Sequence, residues 1–162
     1  MSVKLVPDVK FGLMFRCETL SVPVMRRVLG DTLRGLGVDE ESVYDLLLAA
    51  TEACTNVLRH SGQEVGGYAV VASLGPVACQ VEVADEGIGA VLPVPAPPEP
   101  AAAEPDTPVA QLPESGRGLA VMRAFVDNVT LDSRPGRGTV VTLRKHIQWS
   151  QDAPLRQLRT AS

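Results

Sequence analysis

The order of apolar patterns along the chain constrains its fold more than any other feature. Apolar residues recur at strand spacing in five segments and at helical spacing in three. The strand segments are about 9–18, 67–74, 77–84, 128–133 and 138–146, and the helical segments are about 23–35, 39–60 and 117–127. Because the helices are grouped apart from the paired strands, we predict an α+β two-layer sandwich. In it, a mixed or antiparallel sheet carries the helices on one face.

Short turns and caps divide these segments. Ser21 ahead of Pro23 predicts the cap of the first helix, with proline in its first turn. The glycines at 35–37 end that helix. Gly75-Pro76 predicts a hairpin between the two middle strands, and Pro135-Gly136 favours a type II turn between the last two.

The length and composition predict one folded domain with two distinct segments. The 162 residues fit a single domain, expected at 9–146, with a short extension at 1–8 and a polar, partly disordered tail at 147–162. Residues 91–115 hold eight of the thirteen prolines, spaced by alanine and acidic residues. This composition predicts an extended segment of polyproline character, and such a long loop is typical of a lid or a disordered insertion.

Charge and cysteine content exclude several classes of protein. The net charge of −4 argues against broad nucleic-acid binding, which needs a basic surface. No apolar run reaches the length of a membrane span and no signal-peptide pattern is visible, so we expect a cytoplasmic protein. Cys17, Cys54 and Cys79 match neither a disulfide framework nor a zinc knuckle. We expect them to be buried, reduced thiols.

Glu52 and Asn56 form the first candidate motif. They lie four residues apart on the second predicted helix and share one face, with Arg59 and His60 about a turn further on. An asparagine carbonyl oxygen suits Mg²⁺, which takes few protein ligands together with phosphates. A glutamate one turn earlier can accept a proton from a hydroxyl attacking a phosphate. Taken alone, the pair also fits a solvated helix face.

Asp85 ends a strand segment and is followed by two spaced glycines, Gly87 and Gly89. A carboxylate at this place can accept a hydrogen bond from an exocyclic amine such as N6 of adenine. Guanine carries a carbonyl at the same edge, so this contact favours ATP over GTP. The glycines let the backbone approach a flat ring without a Cβ clash. Taken alone, the motif also fits a glycine-rich turn after a strand.

A third motif, Gly116-Arg117-Gly118, opens the last predicted helix, where free N–H groups and the helix dipole can hold phosphates. It is neither a P-loop nor a dinucleotide fingerprint, and alone it fits an ordinary helix start. Near the end of the chain, Thr139 follows the turn that contains Gly136 and Gly138. Thr139 would approach Asp85 if the two strands that carry them are neighbours.

Together these residues resemble a known set of sequence boxes. Glu52…Asn56, Asp85-x-Gly87-x-Gly89, Gly116-x-Gly118 and Gly136-x-Gly138-Thr139 resemble the N, G1, G2 and terminal glycine boxes of the GHKL (histidine-kinase-like) ATPases. Within that superfamily the chain is similar to the small anti-sigma-factor serine kinases of bacteria. The resemblance covers about residues 10–146 and implies the Bergerat ATP-binding fold.

The resemblance implies a site for ATP and Mg²⁺. Asn56 would ligate Mg²⁺, Asp85 would bind the adenine amine, and Glu52 would be the general base toward a serine or threonine hydroxyl. Further residues would bind the nucleotide or line its pocket. They are Arg59, His60, Gly87, Gly89, Ser115, Gly116, Arg117, Gly118, Leu119 and Thr139.

The resemblance also implies partners. A kinase of this family sequesters a sigma factor and phosphorylates a STAS-type anti-anti-sigma antagonist, and Arg26 or Arg27 of the first helix would belong to the shared binding surface. Homodimerisation through the N-terminal sheet region is usual in the family. The segment 91–115 departs from the family pattern, because it has no lysine and only Thr107, Ser115 and Arg117 can supply a hydroxyl or cation. The alternative is therefore an anti-sigma binding switch with weak or no kinase activity.

A third interpretation, the catalytic domain of a two-component histidine kinase, is less consistent with the sequence. No helical segment with a phosphoacceptor histidine precedes the domain, and His60 and His146 lie in other contexts.

Overall fold

A computed structural model describes residues 9–60, 66–85, 114–134 and 138–155, which form five strands and three helices. The strands are β1 (Val9–Arg16), β2 (Gly67–Leu74), β3 (Ala78–Asp85), β4 (Asn128–Arg134) and β5 (Gly138–His146). The helices are α1 (Ser21–Leu36), α2 (Glu40–His60) and α3 (Glu114–Phe125). The predicted order of elements is confirmed, and the turn at 135–137 lies outside the described residues.

The five strands form one sheet in the order β1-β2-β3-β5-β4, and every neighbouring pair is antiparallel. Of the two predicted alternatives, the sheet is therefore antiparallel rather than mixed. The predicted hairpin of β2 and β3 is present, and its turn is closed by a bond from the Gly75 N–H to the Ala78 carbonyl of 2.9 Å. β3 and β5 are direct neighbours, so Ala84 pairs with Val140.

The helices cover one face of this sheet. Along β1, partly buried and exposed residues alternate, and Phe11, Leu13 and Phe15 point into the core. α2 packs across β3 and β5, α1 packs against β1 and α2, and α3 packs against α2 and β4. The core between the layers is built of aliphatic side chains, among them Met25, Leu29, Leu33, Leu46, Val70, Val81, Val83 and Leu143. The α+β two-layer sandwich is thus confirmed.

The start of α1 differs from the predicted cap. Leu20 occupies the cap position and makes no side-chain cap bond, while Ser21 is the first helical residue. The Ser21 hydroxyl donates to the Glu18 carbonyl at 2.6 Å and contacts the Tyr68 hydroxyl at 2.6 Å. The prediction was wrong because a buried tyrosine, remote in sequence, takes up the second hydrogen bond of this serine.

A partly buried ion pair joins α2 to β5. Lys145 Nζ lies 3.1 Å from Asp45 Oδ2 and donates to the Phe125 carbonyl at 3.1 Å, so it connects β5, α2 and the end of α3. The start of α2 therefore lies beside the end of β5. At about 1.5 Å per residue, Glu52 and Asn56 lie roughly 10–16 Å further along α2.

The segment after β5 belongs to the folded domain as far as residue 155. Trp149 forms an isolated antiparallel β-bridge with Val38, and its Nε1 donates to the Pro76 carbonyl at 2.9 Å. Ala153 and Leu155 are buried. Part of the predicted tail is thus packed on the domain through Ile147, Trp149, Ala153 and Leu155, and 156–162 lie outside the described residues.

The cysteines and the helix lengths bear on two further predictions. All three cysteines are free thiols, with Cys54 and Cys79 buried and Cys17 partly buried. None of the helices in the described parts of the chain is long and apolar enough to cross a membrane.

Candidate functional site

Glu52 and Asn56 of α2 face the first turns of α3. Both side chains are partly buried, and Gly118 of α3 is buried against them. A Cβ placed on Gly118 would lie 3.0 Å from Asn56 Nδ2, 3.2 Å from Asn56 Oδ1 and 3.4 Å from Glu52 Oε2. The first and third sequence motifs are therefore in direct contact, and glycine at 118 allows the close approach.

The carbonyl oxygen of Asn56 has an unused bonding capacity. Oδ1 is buried, and within the described parts of the chain no hydrogen-bond donor reaches it. A buried acceptor left without a partner costs about 1–3 kcal/mol, and a bound ion or water is one arrangement that would remove this cost. A hard amide oxygen next to the Glu52 carboxylate fits the ligand preference of Mg²⁺.

Asp85 and Thr139 form the second contact of the site. Asp85 is the last residue of β3, and its Oδ1 accepts a hydrogen bond from the Thr139 backbone N–H at 2.9 Å. The expected proximity of these two residues is confirmed, since β3 and β5 are neighbours. The bond fixes the carboxylate, and a carboxylate has capacity for further donors. It can therefore accept a bond from an exocyclic amine as well.

The two contacts belong to elements that pack against one another. Asp85 ends β3 and Thr139 is the second residue of β5, so both lie at the end of the sheet where β5 begins. α2, which carries Glu52 and Asn56, packs on both of these strands and on α3. The fold therefore brings an acidic strand end, a carboxylate–amide pair and a helix start onto adjoining elements.

Most of the remaining predicted site residues lie on α2 and α3. Arg59 is exposed near the end of α2, and His60 is the last residue of that helix. Leu119 is partly buried against the core, and Arg117 is exposed beside it on α3. Gly87 and Gly89 lie outside the described residues.

The start of α3 corrects one boundary. The helix begins at Glu114, about three residues before the predicted start, so Ser115 and Gly116 are already helical and the end of the predicted 91–115 segment is ordered. The N–H groups without helical partners are those of the first four residues, which end at Arg117. Gly118 lies just beyond these residues and packs against Asn56, and its place in the phosphate cradle stays a prediction.

Arg26 and Arg27, predicted together as partner-binding residues, have different surroundings. Arg26 is partly buried, and its Nη1 donates to Thr51 Oγ1 at 2.6 Å and to the Leu47 carbonyl at 3.4 Å. The Arg27 side chain is 86% exposed and lies 3.9 Å from Asp31. Only Arg27 thus presents its guanidinium fully to solvent.

Sequence reasoning missed a buried polar cluster beneath the site. Tyr68 of β2 contacts Ser21 through its hydroxyl and is hydrogen-bonded to Cys54 of α2. Burial raises the pKa of both the Tyr68 phenol and the Cys54 thiol to about 12. The sequence signal for this cluster was a tyrosine within an apolar strand. A buried phenol needs a hydrogen-bond partner, so its position indicates further polar side chains nearby.

Comparison with known proteins defines the class to which this fold and site belong. Residues 15–145 match the family model of the histidine kinase-like ATPase domain. The chain is therefore a member of the histidine kinase-like ATPase family.

Individual relatives narrow the comparison. The chain is 32% identical over 114 residues to an anti-sigma F factor of Clostridium acetobutylicum, which covers 69% of this chain and 76% of that protein. It is 28% identical over 139 residues to the serine-protein kinase RsbW of Bacillus thuringiensis, over 80% of both chains. The same figures hold for the serine-protein kinase RsbW of Bacillus cereus.

A solved structure shows the same fold. The chain superposes on a crystal structure of the RsbU and RsbW domains of a Mycobacterium tuberculosis protein with a TM-score of 0.62 and 19% sequence identity. The match covers 89% of this chain and 34% of that one, so the chain corresponds to about a third of the larger protein.

Proposed function

We propose that this protein is an anti-sigma factor with ATP-dependent serine/threonine kinase activity, which sequesters a sigma factor and phosphorylates a STAS-type anti-anti-sigma antagonist. Membership of the ATPase family and similarity to an anti-sigma F factor and to serine-protein kinases support this function. The observation that carries it is the face shared by Glu52 and Asn56 against Gly118, with a buried Asn56 oxygen that no described residue satisfies.

Asp85 recognises the nucleotide base in this proposal. Its carboxylate accepts the N6 amine of adenine while the Thr139 N–H holds its Oδ1 in place. Guanine presents a carbonyl there and would face the carboxylate without a hydrogen, so the site selects ATP over GTP. Other residues line the base and phosphates, namely Arg59, His60, Gly87, Gly89, Ser115, Gly116, Arg117, Gly118 and Leu119.

Asn56 holds Mg²⁺ together with the phosphates. Its Oδ1 is the hard oxygen that this ion prefers, and it lacks another partner among the described residues. When bound, the ion neutralises negative charge on the β- and γ-phosphates during transfer. The backbone of Gly118 in α3 packs against the Asn56 amide and keeps this side chain in place.

Glu52 acts as the general base. Its carboxylate takes the proton of a serine or threonine hydroxyl on the antagonist as that oxygen forms a bond to the γ-phosphorus. The bond from the γ-phosphorus to the oxygen bridging to the β-phosphate breaks, and ADP leaves with that electron pair. The products are a phosphorylated hydroxyl, ADP and a protonated Glu52.

The outer side of α1 is the proposed surface for the sigma factor and the antagonist. Leu20 and Val24 are exposed apolar residues there, 75% and 50% accessible, and the Arg27 guanidinium lies in solvent beside them. A mixed apolar and cationic surface of this kind suits a protein partner. We further place the protein in the cytoplasm, as a homodimer through the N-terminal part of the sheet.

The test is phosphate transfer from γ-labelled Mg-ATP to purified STAS antagonists from the source organism. Glu52→Gln is expected to lower transfer at least about 100-fold while the ATP affinity stays within about 3-fold of wild type, because Glu52 contacts the hydroxyl and not the nucleotide. Glu41→Gln is the matched control, since Glu41 is an exposed glutamate of the same helix. Transfer that survives Glu52→Gln contradicts the assigned base.

The alternative is an anti-sigma switch that binds its partners with weak or no kinase activity. It is favoured by the segment between Arg59 and Arg117, which contains neither lysine nor arginine to approach a γ-phosphate. The same assay separates the two functions. Tight binding of sigma factor or antagonist without labelled phosphoserine supports the switch, and stoichiometric phosphoserine excludes it.

A further inference from the structure

Arg26 links α1 to the turn of α2 that leads into Glu52. The Thr51 hydroxyl donates to the Leu47 carbonyl at 2.6 Å, so its oxygen acts as acceptor toward the Arg26 guanidinium at 2.6 Å. The same guanidinium nitrogen also donates to the Leu47 carbonyl. An arginine of α1 thus holds the residue directly before Glu52 through a charge-assisted hydrogen bond, the stronger kind.

Tyr68 links the start of α1 to the residue two positions after Glu52. The Ser21 hydroxyl has one hydrogen and donates it to the Glu18 carbonyl, so the Tyr68 hydroxyl must donate to Ser21. The Tyr68 hydroxyl also lies in hydrogen-bond contact with the Cys54 thiol of α2. Tyr68 therefore connects Ser21, at the start of α1, with Cys54 of α2.

These two links hold α2 on both sides of Glu52. Residues two apart on a helix are separated by about 200°, so Cys54 points into the core while Glu52 points toward α3. Close to Glu52 this helix face offers little rotational restraint, because residues 49, 50 and 53 are alanines, all fully buried. The larger buried side chains, Leu46 and Val57, pack further along the helix on either side. Small apolar contacts have no preferred direction, whereas hydrogen bonds do.

We propose that Arg26 and Tyr68 are positioning residues, which set the rotation of α2 and thereby place the Glu52 carboxylate for its reaction. The proposal rests on the proposed function of Glu52. It assigns Arg26 a role inside the domain, separate from partner binding, and gives a function to the polar cluster beneath the site. Neither residue contacts the nucleotide or the transferred phosphate.

The test compares variants that remove one hydrogen bond each with matched controls. The variants are Arg26→Ala, Thr51→Val and Tyr68→Phe. The controls are Arg123→Ala, an exposed helical arginine, and Tyr44→Phe, the exposed second tyrosine, which is 56% accessible. Tyr68→Phe and Thr51→Val remove a hydroxyl with little change of side-chain volume, so they open no large cavity.

The first measurement is phosphate transfer to the antagonist together with the affinity for Mg-ATP, below the melting temperature of each variant. Each of the three variants is expected to lower the transfer rate at least about 10-fold with ATP affinity within about 3-fold of wild type. Arg26→Lys, which keeps a donor, restores part of the rate. Variants that melt earlier but transfer at the wild-type rate, or that lose ATP affinity as strongly as rate, overturn the proposal.

The second measurement needs no nucleotide and separates this proposal from the proposed function. In amide NMR spectra of the nucleotide-free protein, the three variants are expected to shift the Glu52 backbone amide and the Asn56 side-chain amide, and the controls are not. If wild type transfers no phosphate, the proposed function fails and these spectra decide the positioning role alone. Unmoved Glu52 and Asn56 signals in all three variants overturn it.

Discussion

Gly118 and Asn56 are packed so closely that a Cβ on the glycine would lie 3.0 Å from the amide nitrogen of the asparagine. The two residues come from different helices and from motifs 62 positions apart in the sequence. Their contact holds the amide whose oxygen has no partner among the described residues. The shape of the site thus depends on the absence of a side chain at position 118.

Replacing Gly118 by alanine is expected to weaken Mg-ATP binding at least about 10-fold, because the Asn56 amide must move to admit the methyl group. Alanine is favoured over glycine in a helix by about 1 kcal/mol, which offsets part of the cost of the crowding. The free energy of unfolding should therefore fall less than the free energy of ATP binding. Calorimetric titration and urea unfolding measure the two effects separately.

Gly35→Ala is the control for this substitution. Gly35 is also helical, and a Cβ there meets no atom within 4 Å. It should raise the free energy of unfolding by about 0.5–1 kcal/mol and leave ATP affinity unchanged. Wild-type affinity in Gly118→Ala would show that the close contact does not shape the nucleotide site.

The ion pair between Lys145 and Asp45 predicts a stability effect. Its side chains are only 16% and 19% exposed, so removing one partner leaves a poorly solvated charge. Lys145→Met should lower the free energy of unfolding by roughly 1–3 kcal/mol, and adding Asp45→Leu should recover part of the loss. Asp31→Asn removes exposed pairs with Arg27 and Arg34 and should change the free energy of unfolding by less than about 0.5 kcal/mol. Equal effects of Lys145→Met and Asp31→Asn would contradict this account.

Adding a methyl group at Gly37 is expected to lower the free energy of unfolding. Its φ is 97°, a conformation that favours glycine, and a Cβ there would overlap the Ala153 side chain. Gly37→Ala is therefore expected to destabilise the protein by about 2 kcal/mol or more. Fluorescence of Trp149, the single tryptophan, follows the unfolding of the adjacent C-terminal segment. An unchanged unfolding midpoint would mean that residues 150–155 do not pack on Gly37 in solution.

The buried thiols predict a loss of stability in alkali. Burial raises the pKa of Cys54 and of Cys79 from 9.0 to about 12, so the unfolded chain releases these protons at lower pH than the folded protein. The stability from these neutral thiols is complete below pH 9 and falls as the pH rises toward 12, by up to about 1.4 kcal/mol per pH unit for each thiol.

Urea unfolding between pH 8 and 10 measures this slope, and Tyr68, whose pKa burial raises from 10.0 to about 12, adds to the loss of stability only as the pH approaches 10. Cys79→Ala should reduce the slope by the share of one thiol, whatever its effect on stability at pH 8. A stability that is constant from pH 8 to 10 in wild type would be inconsistent with buried neutral thiols.

Elements with a strong local signal were predictable from the sequence. The 21-residue helix α2, with its broad apolar face, and the β2–β3 hairpin lie within a few residues of their predicted positions. Asp85 and Thr139 were expected to meet only if their strands were neighbours, and the sheet order makes them so. Local periodicity predicts elements, and pairing of the strands then brings the motifs together.

Features that depend on remote contacts were not predictable. Ser21 has the sequence of a helix cap, yet its hydroxyl bonds to Glu18 and to Tyr68, which is 47 residues away. Arg26 and Arg27 are adjacent and chemically identical, and only the packing of α1 on α2 turns one toward Thr51 and the other toward solvent. A burial pattern alone cannot assign these partners, because the residues that meet come from separate elements.

Titration of the wild-type protein with Mg-ATP and with Mg-GTP by calorimetry, beside the Asp85→Asn variant, tests the nucleotide site most directly. The account predicts that one ATP binds per chain, that GTP binds at least about 10-fold more weakly, and that Asp85→Asn loses at least about 10-fold in ATP affinity. A wild-type protein that binds no ATP, or that binds ATP and GTP equally and keeps its affinity in Asp85→Asn, would contradict it.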